Sequence, residues 1–284
     1  MGGVALLRSP RVREWLAQAS AIVGIDIHDA IDQGRPTLRR TEVAQAALTV
    51  VGLGLYEALA ERGVRPAFVA GHSVGELASF AAAGVFTPEV AVTLAAQRGR
   101  LMAAAAVTNP GGMLALKVDS EDDVAAALAV GERVGPIQLA AENAPGEWVL
   151  TGDRHALAAV AARFPAVPLP VVGPWHSRAM VEAEQAFRQL LTRTELHAPR
   201  CGLIANRDGK PVTVGADLVD VLAGQLTRPI AWAATMATLK ALGARTWLVL
   251  GPGRALRGLV RKNVGLDAHV RLVQEDTDLK EVAA

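Results

Sequence analysis

The residues best suited to chemistry lie in the segment Gly71-His72-Ser73-Val74-Gly75-Glu76. Ser73 stands two positions from a glycine on either side, the spacing of a nucleophile elbow, in which a turn too tight for flanking side chains lifts the hydroxyl clear of the backbone. The apolar run 67–70 predicts a strand before it, and the residues up to Gly84 predict a helix after it. Because the first N–H groups of such a helix face a developing oxyanion, we predict that Ser73 is a nucleophile and the Val74 N–H an oxyanion donor.

A serine nucleophile needs a base, and the chain has six histidines. His176 lies between a predicted strand over 167–172 and a predicted helix over 177–191, and open α/β sheets build their sites at the carboxyl ends of strands. His176 is therefore the preferred base. His269 competes with it, because ordinary α/β-hydrolases carry their histidine late in the chain, and with Asp267 it would make a simple serine hydrolase or thioesterase.

The elements that position these residues alternate between helix and strand, which predicts an α/β fold with a largely parallel sheet. Between residues 112 and 174 the order is strand, helix, strand, strand, helix, strand, as in a ferredoxin-like unit. We predict an α/β-hydrolase-like catalytic domain formed by residues 1–111 and 175–284, with a ferredoxin-like subdomain inserted at 112–174.

Composition argues for a globular cytoplasmic protein. Apolar residues make up 51% of the chain and charged residues 20%, which favours a large core over disorder. The net charge of +1 gives no general attraction to nucleic acid or membranes, and we expect neither as a partner. Cys201 is the single cysteine, so an internal disulfide is excluded. No uninterrupted apolar run reaches the ~18 residues of a membrane span.

Six further segments, in order along the chain, resemble motifs of one family. Together with the elbow they resemble the malonyl-CoA:acyl-carrier-protein transacylases and the related acyltransferase domains of polyketide synthases. The resemblance covers nearly the whole chain, in Gln97-Arg98-Gly99-Arg100-Leu101-Met102, Gly111-Gly112-Met113, Glu142 to Gly152, Trp175 to Met180, Gln225 to Trp232 and Leu250-Gly251-Pro252-Gly253.

The resemblance implies a catalytic mechanism. Ser73 would attack the thioester of malonyl-CoA while His176 takes its proton, and the backbone carbonyl of Gln225 would orient His176 in place of a carboxylate. The acyl-serine would then be attacked by the phosphopantetheine thiol of an acyl carrier protein, in ping-pong order. This implies an S-malonyltransferase of fatty acid or polyketide synthesis that is a monomer and needs no metal or other cofactor.

The resemblance also implies which residues select the acyl group. Arg98 would hold the free carboxylate of the malonyl group in a bidentate fork, and Asn143 would line the site. Trp175 is a bulky aromatic residue directly before the histidine, and we expect it to narrow the pocket against an α-methyl branch. The apolar Val74 favours the same selectivity.

The expected carrier protein is acidic, and a basic helix face could receive it. Arg254, Arg257 and Arg261 recur at helical spacing and form a predicted docking face, although a merely solvated helix face fits the same pattern.

Two other functions of the chain stay open at this point: the transacylase of a malonate decarboxylase system, and a non-enzymatic interaction module.

The first residues depart from the family's pattern. The family opens with a strand and a Gly-Gln-Gly-x-Gln loop that gives a second oxyanion N–H, whereas Met1-Gly2-Gly3 followed by Ala5-Leu6-Leu7 resembles the segment after that loop. We therefore expect the chain as written to be poorly active or poorly stable, because one oxyanion donor is worth roughly 2.7–4 kcal/mol of transition-state stabilisation.

Overall fold

Helices form most of the regular structure, and in the described part of the chain short strands form three sheets. The computed structural model describes residues 6–34, 36–213 and 215–283. Residues 1–5, to which the prediction about the departure from the family's opening pattern refers, lie outside the described residues. The α-helices are α1 Pro10–Val23, α2 Ile27–Asp32, α3 Thr41–Glu61, α4 Gly75–Ala82, α5 Pro88–Thr108, α6 Glu121–Glu132, α7 Arg154–Ala161, α8 Val181–Leu191, α9 Leu218–Gly224, α10 Trp232–Ala241, α11 Arg254–Val264 and α12 Asp276–Ala283. Short 3-10 helices are Leu6–Arg8, Pro36–Arg39 and Arg178–Met180.

The strands form parallel and antiparallel sheets, and the predicted α/β class is confirmed. They are β1 Phe68–Val69, β2 Gly112–Leu116, β3 Ile137–Ala144, β4 Glu147–Gly152, β5 Ala166–Pro168, β6 Gly202–Leu203, β7 Ile230–Ala231, β8 Thr246–Leu250 and β9 His269–Val273. β1 pairs with β6 and β8 with β9, both in parallel, while the third sheet has the order β5-β2-β4-β3-β7. Parallel pairing of this kind requires crossover connections, which the intervening helices supply.

The third sheet contains the ferredoxin-like order of elements. β2, α6, β3, β4, α7 and β5 follow one another, and their strands pair antiparallel in the order β5-β2-β4-β3. These elements enclose their own apolar cluster, which includes Leu114, Leu150 and Val160. Ile230–Ala231 continues the same sheet by parallel pairing with β3, so residues outside 112–174 also belong to it. The exact limits of the inserted subdomain therefore remain a prediction.

Two predicted boundaries near His176 are wrong. The strand expected over 167–172 is only Ala166–Pro168, which pairs with β2. The Leu169 N–H still donates to the Met113 carbonyl oxygen of β2, but Pro170 lacks an N–H and the Val171 N–H donates back to the Leu169 carbonyl oxygen, so the strand does not continue. His176 thus follows an irregular segment, 169–175. The helix expected from Ser177 begins as a 3-10 turn at Arg178 and becomes α-helical at Val181.

Three α-helices begin at a side chain that caps the first turn. Thr87, Ser120 and Asp153 each accept a backbone N–H of the first turn, of α5, α6 and α7 respectively. These bonds satisfy N–H groups that have no partner inside the helix.

The pair α3 and α5 forms the centre of the largest apolar cluster. A Cβ at Gly99 on α5 would lie 2.7 Å from the Cα of Glu42 on α3, so a glycine permits this close approach. α3 is long and apolar enough to span a membrane, with a mean hydropathy of 1.5, yet 67% of that window is buried inside the protein. Core packing therefore accounts for its apolar character.

Candidate active site

The nucleophile elbow lies between β1 and α4. Ser73 has a φ of 53°, a left-handed conformation that non-glycine residues rarely adopt and that often marks a functional site. A Cβ on Gly71 would lie 1.9 Å from the carbonyl oxygen of Gly75, so the turn requires glycine at 71. The expectation of crowding on both flanks is wrong for Gly75, where an added Cβ would meet nothing within 4 Å.

His176, and not His269, contacts the serine. Ser73 Oγ lies 2.8 Å from His176 Nε2, and His176 Nδ1 lies 2.9 Å from the backbone carbonyl oxygen of Gln225. Since a carbonyl can only accept, Nδ1 carries the proton and Nε2 has the free lone pair that accepts the serine hydroxyl. His269 opens β9 at an exposed position, and Asp267 is exposed too.

The electrostatic surroundings keep His176 neutral. It is buried and has a φ of 58°. Burial, followed by the positive charge of Arg98, lowers its pKa to about 3. A neutral imidazole at physiological pH is the form that can remove a proton from Ser73.

The Val74 N–H is available at the start of α4. The next two N–H groups, those of Gly75 and Glu76, donate to the carbonyl oxygens of His72 and Ser73. Among the described residues no hydrogen bond from the Val74 N–H is found. It is therefore free to donate to a ligand, and its role as an oxyanion donor stays a prediction.

Arg98 lies in the protein interior, with 2% of its surface exposed. Its two terminal nitrogens donate to Gln45 Oε1 at 2.5 Å and to Gln225 Oε1 at 2.6 Å. No carboxylate oxygen of the described residues lies within 4.0 Å of its nitrogens. Burial lowers its pKa to about 10, and Glu76 partly opposes that effect. The guanidinium is thus a charged group that two neutral amides hold in place, with N–H donors left for an anion.

A buried polar network beneath the elbow was not predicted from the sequence. Glu76 is fully buried and takes hydrogen bonds from the Asn206 N–H and from Gln225 Nε2. Burial raises its pKa to about 7, against the effect of those bonds. Gln225 Nε2 also donates to the Ser73 carbonyl oxygen at 3.1 Å, so this side chain joins Arg98, Glu76 and the elbow.

The sequence held only a weak signal for these residues. Asn206 follows the apolar run 203–205, as a site residue after a strand does, and Gln45 is a polar residue on an otherwise apolar helix face. Neither pattern names a partner. The contacts join positions from 53 to 152 residues apart, which local patterns do not specify.

Asn143 and Trp175 have surroundings that the sequence did not specify. Asn143 Oδ1 accepts a hydrogen bond of 2.8 Å from Nε2 of His72, whose ring meets that of Trp232 edge to face. Trp175 is 8% exposed and belongs to the largest apolar cluster, and a Cβ on Gly173 would lie 2.3 Å from its ring. Asn143 thus contacts the elbow, and Trp175 is a packed residue beside His176.

The basic residues of α11 differ in their accessibility. Arg254 and Arg261 are exposed, whereas Arg257 is partly buried and its Nε has no hydrogen-bond partner among the residues that the structure describes. The neighbouring Lys262 pairs with Glu147, at the turn between β3 and β4. The described residues contain no group of three or more His, Cys, Asp or Glu side chains suited to a metal ion, and independence from cofactors stays a prediction.

Comparison with known proteins places this geometry in a family. The model of the family described as "Acyl transferase domain" matches residues 1–242. This chain belongs to the acyl transferase domain family. A malonyl CoA-acyl carrier protein transacylase of Mycobacterium bovis is 36% identical over 251 residues, which cover 86% of this acyl transferase chain and 81% of that protein.

Solved structures agree with the assignment. The malonyl-CoA:ACP transacylase of Synechocystis sp. superposes with a TM-score of 0.89 at 31% identity, covering 99% of this chain and 94% of that one. A malonyl-transacylase solved in complex with a type II polyketide synthase acyl-carrier protein superposes with a TM-score of 0.89 at 26% identity, covering 98% of this chain and 93% of that one. The acyl transferase fold therefore extends over nearly all of the chain.

Proposed function

We propose that this chain is an [acyl-carrier-protein] S-malonyltransferase, which moves a malonyl group from malonyl-CoA to the phosphopantetheine thiol of an acyl carrier protein for fatty acid or polyketide synthesis. The observation that carries the proposal is the buried Arg98, which has no carboxylate partner in the described part of the chain and is joined through Gln225 to a serine–histidine pair. The names of the similar transacylases support the same reaction.

The first half-reaction loads the serine. Ser73 Oγ attacks the thioester carbonyl carbon as its proton passes to His176 Nε2, and the Val74 N–H donates to the oxyanion that forms. The imidazolium is stabilised by its Nδ1–H bond to the Gln225 carbonyl oxygen. When the carbon–sulfur bond breaks, coenzyme A leaves with the proton from His176, and malonyl-Ser73 remains.

The second half-reaction repeats these steps in reverse order with the carrier. His176 removes the proton of the phosphopantetheine thiol, and the thiolate attacks the malonyl ester carbon. The bond to Ser73 Oγ breaks and the oxygen regains the proton from His176. A general base of this kind contributes about 10²–10⁴-fold to the rate.

Arg98 selects the acyl group in this proposal. A malonyl carboxylate would meet a guanidinium that is already desolvated and oriented by Gln45 and Gln225. An acetyl group would leave that buried charge unpaired, which is costly. Asn143 and Trp175 are proposed to shape the rest of the pocket, Asn143 through His72 and Trp175 by restricting the space beside His176.

The carrier protein is the partner of the second step. We propose that an acidic carrier docks on α11, because Arg254 and Arg261 are exposed there and α11 is joined to β3 by the bond from Asn263 Nδ2 to the Asn143 carbonyl oxygen, 2.8 Å. Arg254→Glu with Arg261→Glu should raise the KM for the carrier but not for malonyl-CoA. Arg163→Glu, an exposed arginine outside α11, is the control. An unchanged KM for the carrier contradicts docking on α11.

We also propose that the chain is a monomer and that its location is cytoplasmic.

Intact-protein mass spectrometry tests the reaction directly. The purified chain is incubated with malonyl-, methylmalonyl- or acetyl-CoA, and we expect a malonyl adduct that Ser73→Ala abolishes. Ser120→Ala, which changes the N-cap of α6 in the ferredoxin-like unit, should keep the adduct. Hydrolysis of simple esters that depends on His269, with no acyl transfer to a carrier, would instead favour the hydrolase.

A further inference from the structure

The elbow needs a contact that holds its backbone. Ser73 and His176 are the two non-glycine residues with a left-handed φ among the residues that the structure describes. L-residues relax from this conformation unless the surrounding structure holds them in it. For Ser73 the relaxed backbone would carry Oγ away from its position 2.8 Å from His176 Nε2.

Asn206 is placed by the fold directly against the elbow. It follows β6, which pairs in parallel with β1, and the pairing continues with the bond from the Ile204 N–H to the Val69 carbonyl oxygen. Because parallel strands reach the same edge of a sheet together, the segment that follows β6 lies beside the segment that follows β1. Asn206 has no exposed surface.

All four polar groups of Asn206 have partners, and three of these partners belong to the elbow. Its Oδ1 accepts the Ser73 N–H at 2.7 Å, and its Nδ2 donates to the Gly71 carbonyl oxygen. Its own N–H donates to Glu76 Oε1 at 2.6 Å, and its carbonyl oxygen accepts the Ala231 N–H at 2.8 Å. The carboxamide therefore holds the backbone on both sides of His72, and Glu76 fixes the backbone of Asn206 in turn.

We propose that Asn206 is a positioning residue of the reaction, whose carboxamide holds Ser73 in the left-handed conformation that directs Oγ at His176. Its carboxamide bonds to the elbow backbone and not to Ser73 Oγ or His176. The proposal rests on the function proposed above, in which Ser73 is the nucleophile. Only a side chain with an acceptor and a donor side by side can make the two elbow bonds, which makes asparagine the fitting residue here.

The consequence is a loss of rate without a loss of substrate affinity. Asn206→Ala removes both bonds and frees Ser73, and a displacement of about 1 Å at a reacting group costs about 10²-fold in rate. Arg98 keeps its contacts with Gln45 and Gln225, so the binding of the malonyl carboxylate is unaffected. We expect kcat to fall about 100-fold while the KM for malonyl-CoA stays within threefold.

The test measures the reactivity of Ser73 toward a fluorophosphonate and, separately, toward malonyl-CoA. The rate at which a fluorophosphonate labels Ser73 is compared in wild type, Asn206→Ala and Asn206→Leu, alongside kcat and KM for malonyl-CoA. Asn206→Leu fills the same space without polar groups. Thr235→Val is the control, because it removes one buried hydroxyl that bonds only to the Ala231 carbonyl oxygen. Labelling tests the positioning even if malonyl-CoA proves to be the wrong donor.

Labelling about 100-fold slower in Asn206→Ala and at least tenfold slower in Asn206→Leu, with Thr235→Val near wild type, would support the proposal. Labelling of either folded variant within threefold of wild type would overturn it. A fall in affinity for malonyl-CoA at unchanged kcat would overturn it as well. If neither Asn206 variant folds while Thr235→Val does, Asn206 is a structural residue and the proposal fails.

Discussion

Replacement of Arg98 should change which acyl group the protein accepts. Arg98 is 2% exposed, carries a positive charge and has two carboxamide oxygens as partners but no carboxylate among the described residues. Arg98→Gln removes the charge and keeps an amide that can donate to Gln45 or Gln225. The malonyl carboxylate then enters a buried site without a counter-charge.

The size of the effect follows from the burial of the pair. Removing one partner of a buried ion pair costs about 3–5 kcal/mol, and each 1.36 kcal/mol is a factor of ten in rate. We expect kcat/KM for malonyl-CoA to fall by about 10²–10⁴-fold. For acetyl-CoA the substitution removes an unpaired buried charge, so kcat/KM should stay level or rise.

The assay compares the two acyl donors in one protein. Acyl-Ser73 formation is followed with malonyl-CoA and acetyl-CoA in wild type, Arg98→Gln and Arg100→Gln. Arg100 is the matched control, because it lies two residues from Arg98 on α5 but is exposed. Its side chain donates to the Ile22 carbonyl oxygen at 3.1 Å. Equal losses for both donors, or equal behaviour of the two variants, would refute the role of Arg98.

Three other predictions concern the elbow and its surroundings. His176→Ala should reduce the rate of acyl-Ser73 formation by about 10²–10⁴-fold, whereas His269→Ala should leave it unchanged, as stopped-flow or quenched-flow mass spectrometry can measure. Gly71→Ala should prevent the correct elbow, since its Cβ would lie 1.9 Å from the Gly75 carbonyl oxygen, whereas Gly75→Ala should be tolerated in both thermal unfolding and activity; similar losses in the two variants would contradict this. The folded-state pKa of Glu76 is raised from 4.5 to about 7, so the folded protein binds a proton at Glu76 more tightly than the unfolded chain does. The stability that this proton contributes is complete below pH 4.5 and is lost as the pH rises to 7. In denaturant titrations wild type should therefore lose up to about 3 kcal/mol relative to Glu76→Gln across that window, and a difference independent of pH would show that the Glu76 pKa is not raised.

Much of the site could be predicted from residue types and order. Ser73 stands in an elbow motif because a strand–turn–helix with a glycine at 71 is a local structure, specified by neighbouring residues. The helix starts at Thr87, Ser120 and Asp153 are local in the same sense, because each cap bonds to an N–H two or three residues away. Interactions between residues this close in the chain can be predicted from the sequence.

Only the tertiary structure shows which of the two histidines, His176 or His269, contacts Ser73. The sequence favoured His176 for a position after a strand, yet that strand ends at Pro168, and the segment between has no regular structure. What places His176 against Ser73 is packing between segments 103 residues apart, together with the Gln225 carbonyl from a third segment. Such distances depend on how the helices and sheets pack.

The sequence by itself predicted Ser73 as a nucleophile and indicated its elbow and the α/β class, because the elbow and the class depend on short-range periodicity and on the steric limits of a turn. The tertiary structure decided which groups surround the nucleophile: Asn206 on the Ser73 backbone, Glu76 beneath it, and Gln45 and Gln225 on Arg98. The physical reason is that a buried polar group must find a partner wherever the fold brings one, and that partner can lie anywhere along the chain.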